Sequence, residues 1–342
     1  MKQVFTDYLL FHFLWKEGLP VSVLAIYPQS STLHLALGRS SQFKAKAVPL
    51  LPKENGLIKE TVLRWLREQG GLESLEFIVT SGYLSGAEKS GLYSLSSVLP
   101  TPAVGGAPLA QELSCELEIP AYLIDPTCPQ ECFPQALIGA APEFPRACYG
   151  DGFILKYLSR LEGDGRYVVA HLDETVQIGA LAGGRILDMG SSAHEGPFAF
   201  SQAGGLPFEA VLDLCESVKD KERLLYMIER EGGFKGFLPS VQFSDLLADQ
   251  SLRDSTAEDG VWQVFVYQVA KEIAAYATAL EGKLDAVLLT GQLVNNETFL
   301  TALEGRIGYL GRLTHYPGNQ GLNALLTGAE RVFSGESILI YQ

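Results

Sequence analysis

The stretch from residue 167 to residue 188 constrains the fold more than any other part of this chain. An apolar run (167–171) enters the acidic turn Asp173-Glu174-Thr175, and a second apolar run (176–181) returns. Gly183-Gly184 then turns the chain again, into Arg185-Ile186-Leu187-Asp188. Short apolar runs bounded by turn residues read as strands. A Gly-Gly pair closes a tight hairpin because glycine accepts φ > 0 without steric cost. The same strand, polar turn and strand stand earlier, at 21–26, 27–32 and 33–37. This is a repeat of architecture, not of sequence. Helical spacing follows at 58–69, 110–117, 152–161, 208–231 and 261–280, with short buried strands at 75–80, 121–124 and 286–289. Alternation of that kind predicts an α/β fold. A final helix over 322–333 turns Leu325, Leu326, Ala329 and Val332 to one side. Residues 126–145 hold five prolines and read as a looped crossing between two halves. Residues 192–207, rich in Gly, Ser and Pro, read as a loop over a cleft.

The chain has 342 residues, 47% of them hydrophobic, enough for two domains with sizeable cores. It carries 26 basic against 40 acidic residues, a net charge of −14. That balance argues against nucleic acid or an anionic membrane surface as a partner, since both need clustered Lys and Arg. A nucleotide needs only a local site and stays open. The five cysteines are an odd number with no disulfide spacing, which predicts a reducing, cytoplasmic setting. Cys128 and Cys132 are the one close pair, and no second Cys/His pair follows at zinc-finger spacing. They read as ordinary buried or loop thiols, and no metal site is expected. The first twenty residues hold an apolar run (8–15) too short to span a bilayer and broken by His12. It reads as an amphipathic helix packed on the domain or on a partner, not as a targeting segment.

Four stretches together resemble the butyrate kinases, short-chain carboxylate kinases related to acetate kinase: HLDETVQIGALAGGRILD (171–188), HEGPFAFSQAGGLP (194–207), YQVAKEIAAYATALEGKLDAVLLTGQL (267–293) and YPGNQGLNALLTGAERVFSGE (316–336). The resemblance runs from about residue 21 to residue 334. It implies two ribonuclease-H-like domains of the actin-like ATPase kind around a central cleft. Residues 1–148 would form the first, 149–319 the second, and 320–342 would return to the first. It also implies Mg-ATP as cofactor, a small carboxylate or a nucleotide as ligand, and a homodimer built through the second domain. The apolar helix 261–280 is a candidate dimer surface, but core is the reading preferred here.

Carried over residue by residue, the resemblance makes Asp125 and His171 the candidate catalytic residues. Ser30, Ser31, Thr32, Gly179, Thr290, Gly291 and Gly318 become candidates for binding phosphate or nucleotide, and Glu195 and Gly196 form a cleft loop. Thr290-Gly291 follows a buried strand and opens toward a helix N-terminus, a place suited to phosphate. The departures cut the other way. Where the family has phosphate-loop glycines, this chain has Asp173-Glu174-Thr175; like charge there repels a phosphate by about 1 kcal/mol or more at contact. The family's Asn and Gly in the first turn are Tyr27 and Gln29. One family arginine falls in Ser81-Gly82-Tyr83, and a second is replaced by Gln202. The family's His-Ala-Ser-Asn-Leu-Gly loop reads Thr101-Pro102-Ala103-Val104-Gly105-Gly106. A further glycine is Gln292, and a carboxylate after Pro317-Gly318 is Asn319. An arginine at a transferring phosphoryl group is worth roughly 10³–10⁵-fold. The sequence therefore predicts the family fold with carboxylate-kinase activity weak or lost. The alternatives are a non-catalytic binding or regulatory subunit, and a relative with a different ligand in the cleft.

Overall fold

The computed structural model describes residues 22–29, 32–40, 42–50, 55–84, 87–95, 106–146, 148–248 and 256–341. The helix expected in the first twenty residues lies outside them, as do Ser30 and Ser31. In chain order the strands are β1 (Ser22–Pro28), β2 (Thr32–Arg39), β3 (Gln42–Pro49), β4 (Leu75–Thr80), β5 (Leu92–Ser94), β6 (Ala121–Ile124), β7 (Arg166–Leu172), β8 (Val176–Ala182), β9 (Arg185–Ser191), β10 (Ala286–Gly291), β11 (Leu313–Pro317) and β12 (Ile338–Leu339). The helices are α1 (Asn55–Glu68), α2 (Ala107–Leu117), α3 (Gly152–Glu162), α4 (Phe208–Ser217), α5 (Lys221–Arg230), α6 (Gly233–Phe237), α7 (Phe243–Leu247), α8 (Thr256–Ala279), α9 (Glu297–Ile307) and α10 (Gly321–Phe333).

One sheet runs β12-β5-β6-β4-β1-β2-β3, the other β11-β10-β7-β8-β9. In each, three antiparallel strands (β1-β2-β3, β7-β8-β9) continue into parallel ones (β4-β6, β10-β11). The doubled plan inferred from the strand–turn–strand repeats is thus borne out in strand order. β1 and β10 are apolar along almost their whole length because both faces are covered, the usual state of parallel strands.

Five layers result. Helices α1 and α2 cover the outer face of the first sheet, with Leu66, Leu113 and Leu24 in one core. Helices α3 and α10 fill the space between the sheets, where Phe153, Leu158, Leu325 and Ala329 meet Val23, Ala25, Val169 and Leu288. Helices α8 and α9 cover the outer face of the second sheet through Phe265, Val269, Ile273, Leu280, Phe299 and Leu303. The α8 face read from the sequence is therefore core. The last helix packs on β1 and β2, and β12 then pairs with β5. Gly328 lets this helix also approach β6: a Cβ there would stand 2.2 Å from Ile124 Cγ2.

One expected helix needs correction, and α9, β3, β5, β11 and β12 were not expected from the sequence. Residues 208–231 are two helices, not one. Asp220 ends the run and caps α5, its side chain accepting from the backbone N–H groups of Glu222 and Arg223. β3 was not expected, because its half-exposed sequence lacks an apolar run; Lys44 and Lys46 guard it as a sheet edge. Among the described residues no helix is long and apolar enough to cross a membrane.

Candidate anion seat and interlobe cleft

β7, β10 and β11 run parallel, so their carboxyl ends and the turns that follow lie along one edge. Ligands of open α/β sheets bind outside such ends. Here the three turns converge on one side chain, Asp173. Its Oδ1 accepts from Glu174 N (2.9 Å) and Gln292 Nε2 (3.2 Å). Its Oδ2 accepts from Gln292 N (3.4 Å) and Asn319 Nδ2 (3.3 Å). Asp173 is 1% exposed. Burial pushes its carboxyl up, and the surrounding N–H donors oppose that shift. Among the described residues no lysine or arginine pairs with it. Four N–H donors from three turns around a carboxylate make an anion seat, filled by the chain itself.

Gly291, Gly318 and Thr290 build this seat. Gly291 and Gly318 exchange backbone hydrogen bonds (3.2 and 3.1 Å), which clamp the β10 and β11 turns together. Gly291 has φ +105, and a Cβ there would stand 2.0 Å from Leu172 O, so only glycine lets β10 pass this close to β7. Thr290 Oγ1 donates to Tyr316 O (2.8 Å) and points into the sheet. Gly179 lies elsewhere, on β8 beneath α3, where a Cβ would meet Leu155 and Asp188 O. Its place is one of packing. Thr32 opens β2.

Beside the seat stands a second, half-buried polar group. Asp151 Oδ2 accepts from Tyr27 Oη (3.0 Å) on β1 and Gln177 Nε2 (3.1 Å) on β8, joining the two lobes at the cleft floor. Burial pushes its carboxyl up. His171 is fully buried, and neither ring nitrogen has a hydrogen-bond partner among the described residues. Asp173 Oδ2 is 3.8 Å from its Nε2, too far for a hydrogen bond, and the ring is neutral. Burial pushes the imidazole down to about 4, against the pull of Asp151.

The sign of the resulting pH dependence follows. An unfolded histidine titrates near 6.5. Between pH about 6.5 and about 4 the unfolded chain binds a proton that folded His171 refuses, so its contribution to stability is lost as pH falls through that window. Asp151 and Asp173, raised by burial, act oppositely: what they add is present below about 3.8 and is lost as pH rises through their folded values. Both remain in a His171→Gln variant. Subtracting its urea-derived stability from that of the wild type should leave a slope of up to about 1.4 kcal/mol per pH unit between pH 6.5 and 4. Parallel curves would contradict the buried, neutral assignment.

A cavity of about 680 Å³ opens from this floor, between Pro28, Gln29, Ser81, Tyr83, Tyr149, Asp151, Thr175, Gln177, Ser191, His194, Gln202, Glu229 and Arg230. Ser81 and Gln202, which stand where the resemblance places arginines, both line it. Tyr83 stacks at a tilt on Tyr149 (centroids 5.2 Å apart), and Tyr149 meets His194 edge-on at 5.1 Å. Among the described residues Gln29 Nε2 and Ser191 Oγ are buried without hydrogen-bond partners.

Asp125 does not line that cavity. It is 2% exposed, with φ 44, and its carboxylate accepts from Arg160 Nη2 (2.8 Å) on α3 and Arg331 Nη1 (2.6 Å) on α10. Burial alone would raise its carboxyl; the two guanidinium groups overcome this and hold it low. Glu195 is gripped by Arg146, which also reaches Asp188 (3.1 Å) and Ala136 O (2.7 Å). The adjacent Gly196 has φ +83. This network fixes the 192–207 loop to β9. Among the described residues no cluster of His, Cys, Asp and Glu is arranged to hold a metal ion. Asp151, Gln177, Tyr149 and Arg230 had no signal in the sequence reading. Asp151 in particular precedes a helix, where an Asp reads as an N-cap, yet its side chain makes no capping bond.

Residues 149–312 match the Acetokinase family. Over 256 residues the chain is 31% identical to the "Probable butyrate kinase" of Oleidesulfovibrio alaskensis, covering 68% of each protein. Over 299 residues it is 28% identical to "Butyrate kinase 1" of Clostridium acetobutylicum, covering 81% of this chain and 84% of that one. Among solved structures, a propionate kinase from Francisella tularensis superposes with a TM-score of 0.68 at 16% identity, over 90% of this chain and 98% of that one. An acetate kinase from Porphyromonas gingivalis gives 0.67 at 15% identity, over 92% and 100%. The structural matches bear out the two-lobed actin-like fold.

Proposed function

Because the chain belongs to the acetokinase family of butyrate and acetate kinases, we propose that it is a carboxylate-kinase homologue whose phosphoryl transfer is weak or lost. The reaction in question is transfer from ATP to a short-chain carboxylate, giving an acyl phosphate. One observation carries the reading: the seat at the carboxyl ends of β7, β10 and β11 is filled by Asp173. The departures at Asp173, Gln292 and Asn319 bond to one another, so they act as one built unit. A phosphate entering would have to expel a buried carboxylate whose four donors are already satisfied. Nucleotide phosphates with Mg²⁺ do not fit these residues as they stand, since Asn319 offers an amide where a hard cation favours a carboxylate. Charge stabilisation supplies most of phosphoryl-transfer catalysis, and Ser81 and Gln202 bring no charge to the cavity wall.

The test is acyl phosphate formation from Mg-ATP with acetate, propionate or butyrate, trapped as the hydroxamate. Turnover well below the roughly 1–100 s⁻¹ of active kinases is expected. Turnover within that range would overturn the reading.

A further inference from the structure

We propose that Cys132 and Cys148 form a reversible oxidation site, a dithiol that closes to a disulfide in the crossing between the two lobes. The two side chains pack in one core cluster and are 6% and 3% exposed. The Cys132 thiol donates a hydrogen bond to the Cys148 sulfur. Cys148 Sγ also stands 3.8 Å from Ala136 O and 3.9 Å from Asp188 Oδ1. Ala136 O accepts from Arg146 Nη1 as well (2.7 Å), so one carbonyl holds the thiol beside a guanidinium. The partners are fixed by backbone. Cys132 N donates to Pro129 O (2.9 Å), and Phe133 N donates to Leu187 O (2.8 Å), which ties that end of the crossing to β9. Cys148 has φ 42, a left-handed conformation uncommon for a residue with a Cβ.

The surroundings divide the roles of the two thiols. The Cys132 S–H pulls the Cys148 thiol below its ordinary value, helped by the Met189 N–H and by Arg146, against burial and Asp188. The same bond, together with burial, pushes the Cys132 thiol up. Thiolate is the reactive form, so Cys148 attacks and Cys132 resolves. The oxidant is a peroxide. The Cys148 sulfur attacks one peroxide oxygen, the O–O bond breaks, and a sulfenic acid forms with loss of water. The Cys132 sulfur then attacks the sulfenic sulfur, the S–O bond breaks, and a second water leaves as the S–S bond forms. Two thiols are oxidised and one hydrogen peroxide is reduced to two waters, which carry away both thiol protons. Cys128 is not the partner: its Sγ donates to Pro126 O (3.4 Å), and burial pushes its thiol up to about 12. Tyr149, the residue after Cys148, lines the cavity, so the cleft brings a peroxide close to the attacking thiol. Transient disulfides of this sensing kind are those found in reducing compartments. The bond would close a loop carrying Arg146, the residue that grips Glu195.

The test uses the full chain carrying Cys115→Ser and Cys215→Ser, since both of those thiols are exposed. The folded protein is treated with hydrogen peroxide, and the remaining thiols are blocked with N-ethylmaleimide in urea. Trypsin cuts after Arg146, so a bond from Cys132 to Cys148 joins two peptides in the mass spectrum. That linked pair should form, and dithiothreitol should separate it. Cys132 and Cys148 should become protected together, on the order of tenfold faster than Cys128. The linked pair should persist in Cys128→Ser. In Cys132→Ala it should vanish, and dimedone should instead trap a sulfenic acid on Cys148. Absence of the linked pair after peroxide, or a linked pair that survives Cys132→Ala, would overturn the proposal.

Discussion

Replacing Asp173 with glycine should raise the affinity for Mg-ATP at least tenfold. In the wild type a phosphate approaching the seat meets a carboxylate held by Gln292, Asn319 and Glu174 N–H groups. Two unit charges about 4 Å apart repel by about 4 kcal/mol at the effective dielectric of a partly solvated site. Relief of about 1.4 kcal/mol, a third of that, already gives the tenfold gain. Glycine also frees the Gln292 backbone and amide donors and the Asn319 amide to face the ligand. Asp173→Asn removes the charge but leaves the seat filled, so its gain should be smaller than that of glycine. Calorimetric titration of the three proteins checks the order. Equal affinities for wild type and Asp173→Gly would show that the carboxylate is no barrier.

The largest loss of stability should come from Glu131→Ala. Glu131 ends a turn of 3-10 helix in the proline-rich crossing, and its carboxylate pairs with Lys156 of α3. The Lys156 and Glu131 side chains are 1% and 6% exposed. Ser90 Oγ also donates to Glu131 Oε1 (2.7 Å), so the cluster pins the crossing, α3 and the segment before β5 together. Removing the carboxylate leaves an ammonium buried without its counter-charge, which costs about 3–5 kcal/mol. The double variant Lys156→Met, Glu131→Gln removes both charges and should recover most of that loss. Urea unfolding reads both. A Glu131→Ala loss under about 1 kcal/mol would mean that water reaches Lys156 despite its burial.

The fold was legible because its signals are local. The β7–β8 hairpin, β4, β6, β10, α3 and α8 each announce themselves by a run or a periodicity within a dozen or two residues. β3 escaped because a solvent-facing edge strand needs no apolar pattern, and the α4–α5 break escaped because Asp220 sits in an otherwise helical composition. The site was legible only as separate substitutions. Asp173 is 119 residues from Gln292 and 146 from Asn319, so nothing local says that the three meet. Asp125 shows the converse. The Asp-Pro motif carries it by resemblance toward catalysis, while the fold commits its carboxylate to Arg160 and Arg331. Arg230 looks in sequence like any basic residue ending an exposed helix. Its place in the cleft wall follows from tertiary backbone pairing with residues 199–203.

A crystal of the wild-type protein soaked in Mg-ATP tests the central claim most directly. The account predicts Asp173 still hydrogen-bonded to Gln292 and Asn319, with no phosphate between the turns that end β7, β10 and β11. Phosphate oxygens resting on Gln292 N and Asn319 Nδ2, with the Asp173 side chain swung away, would contradict it.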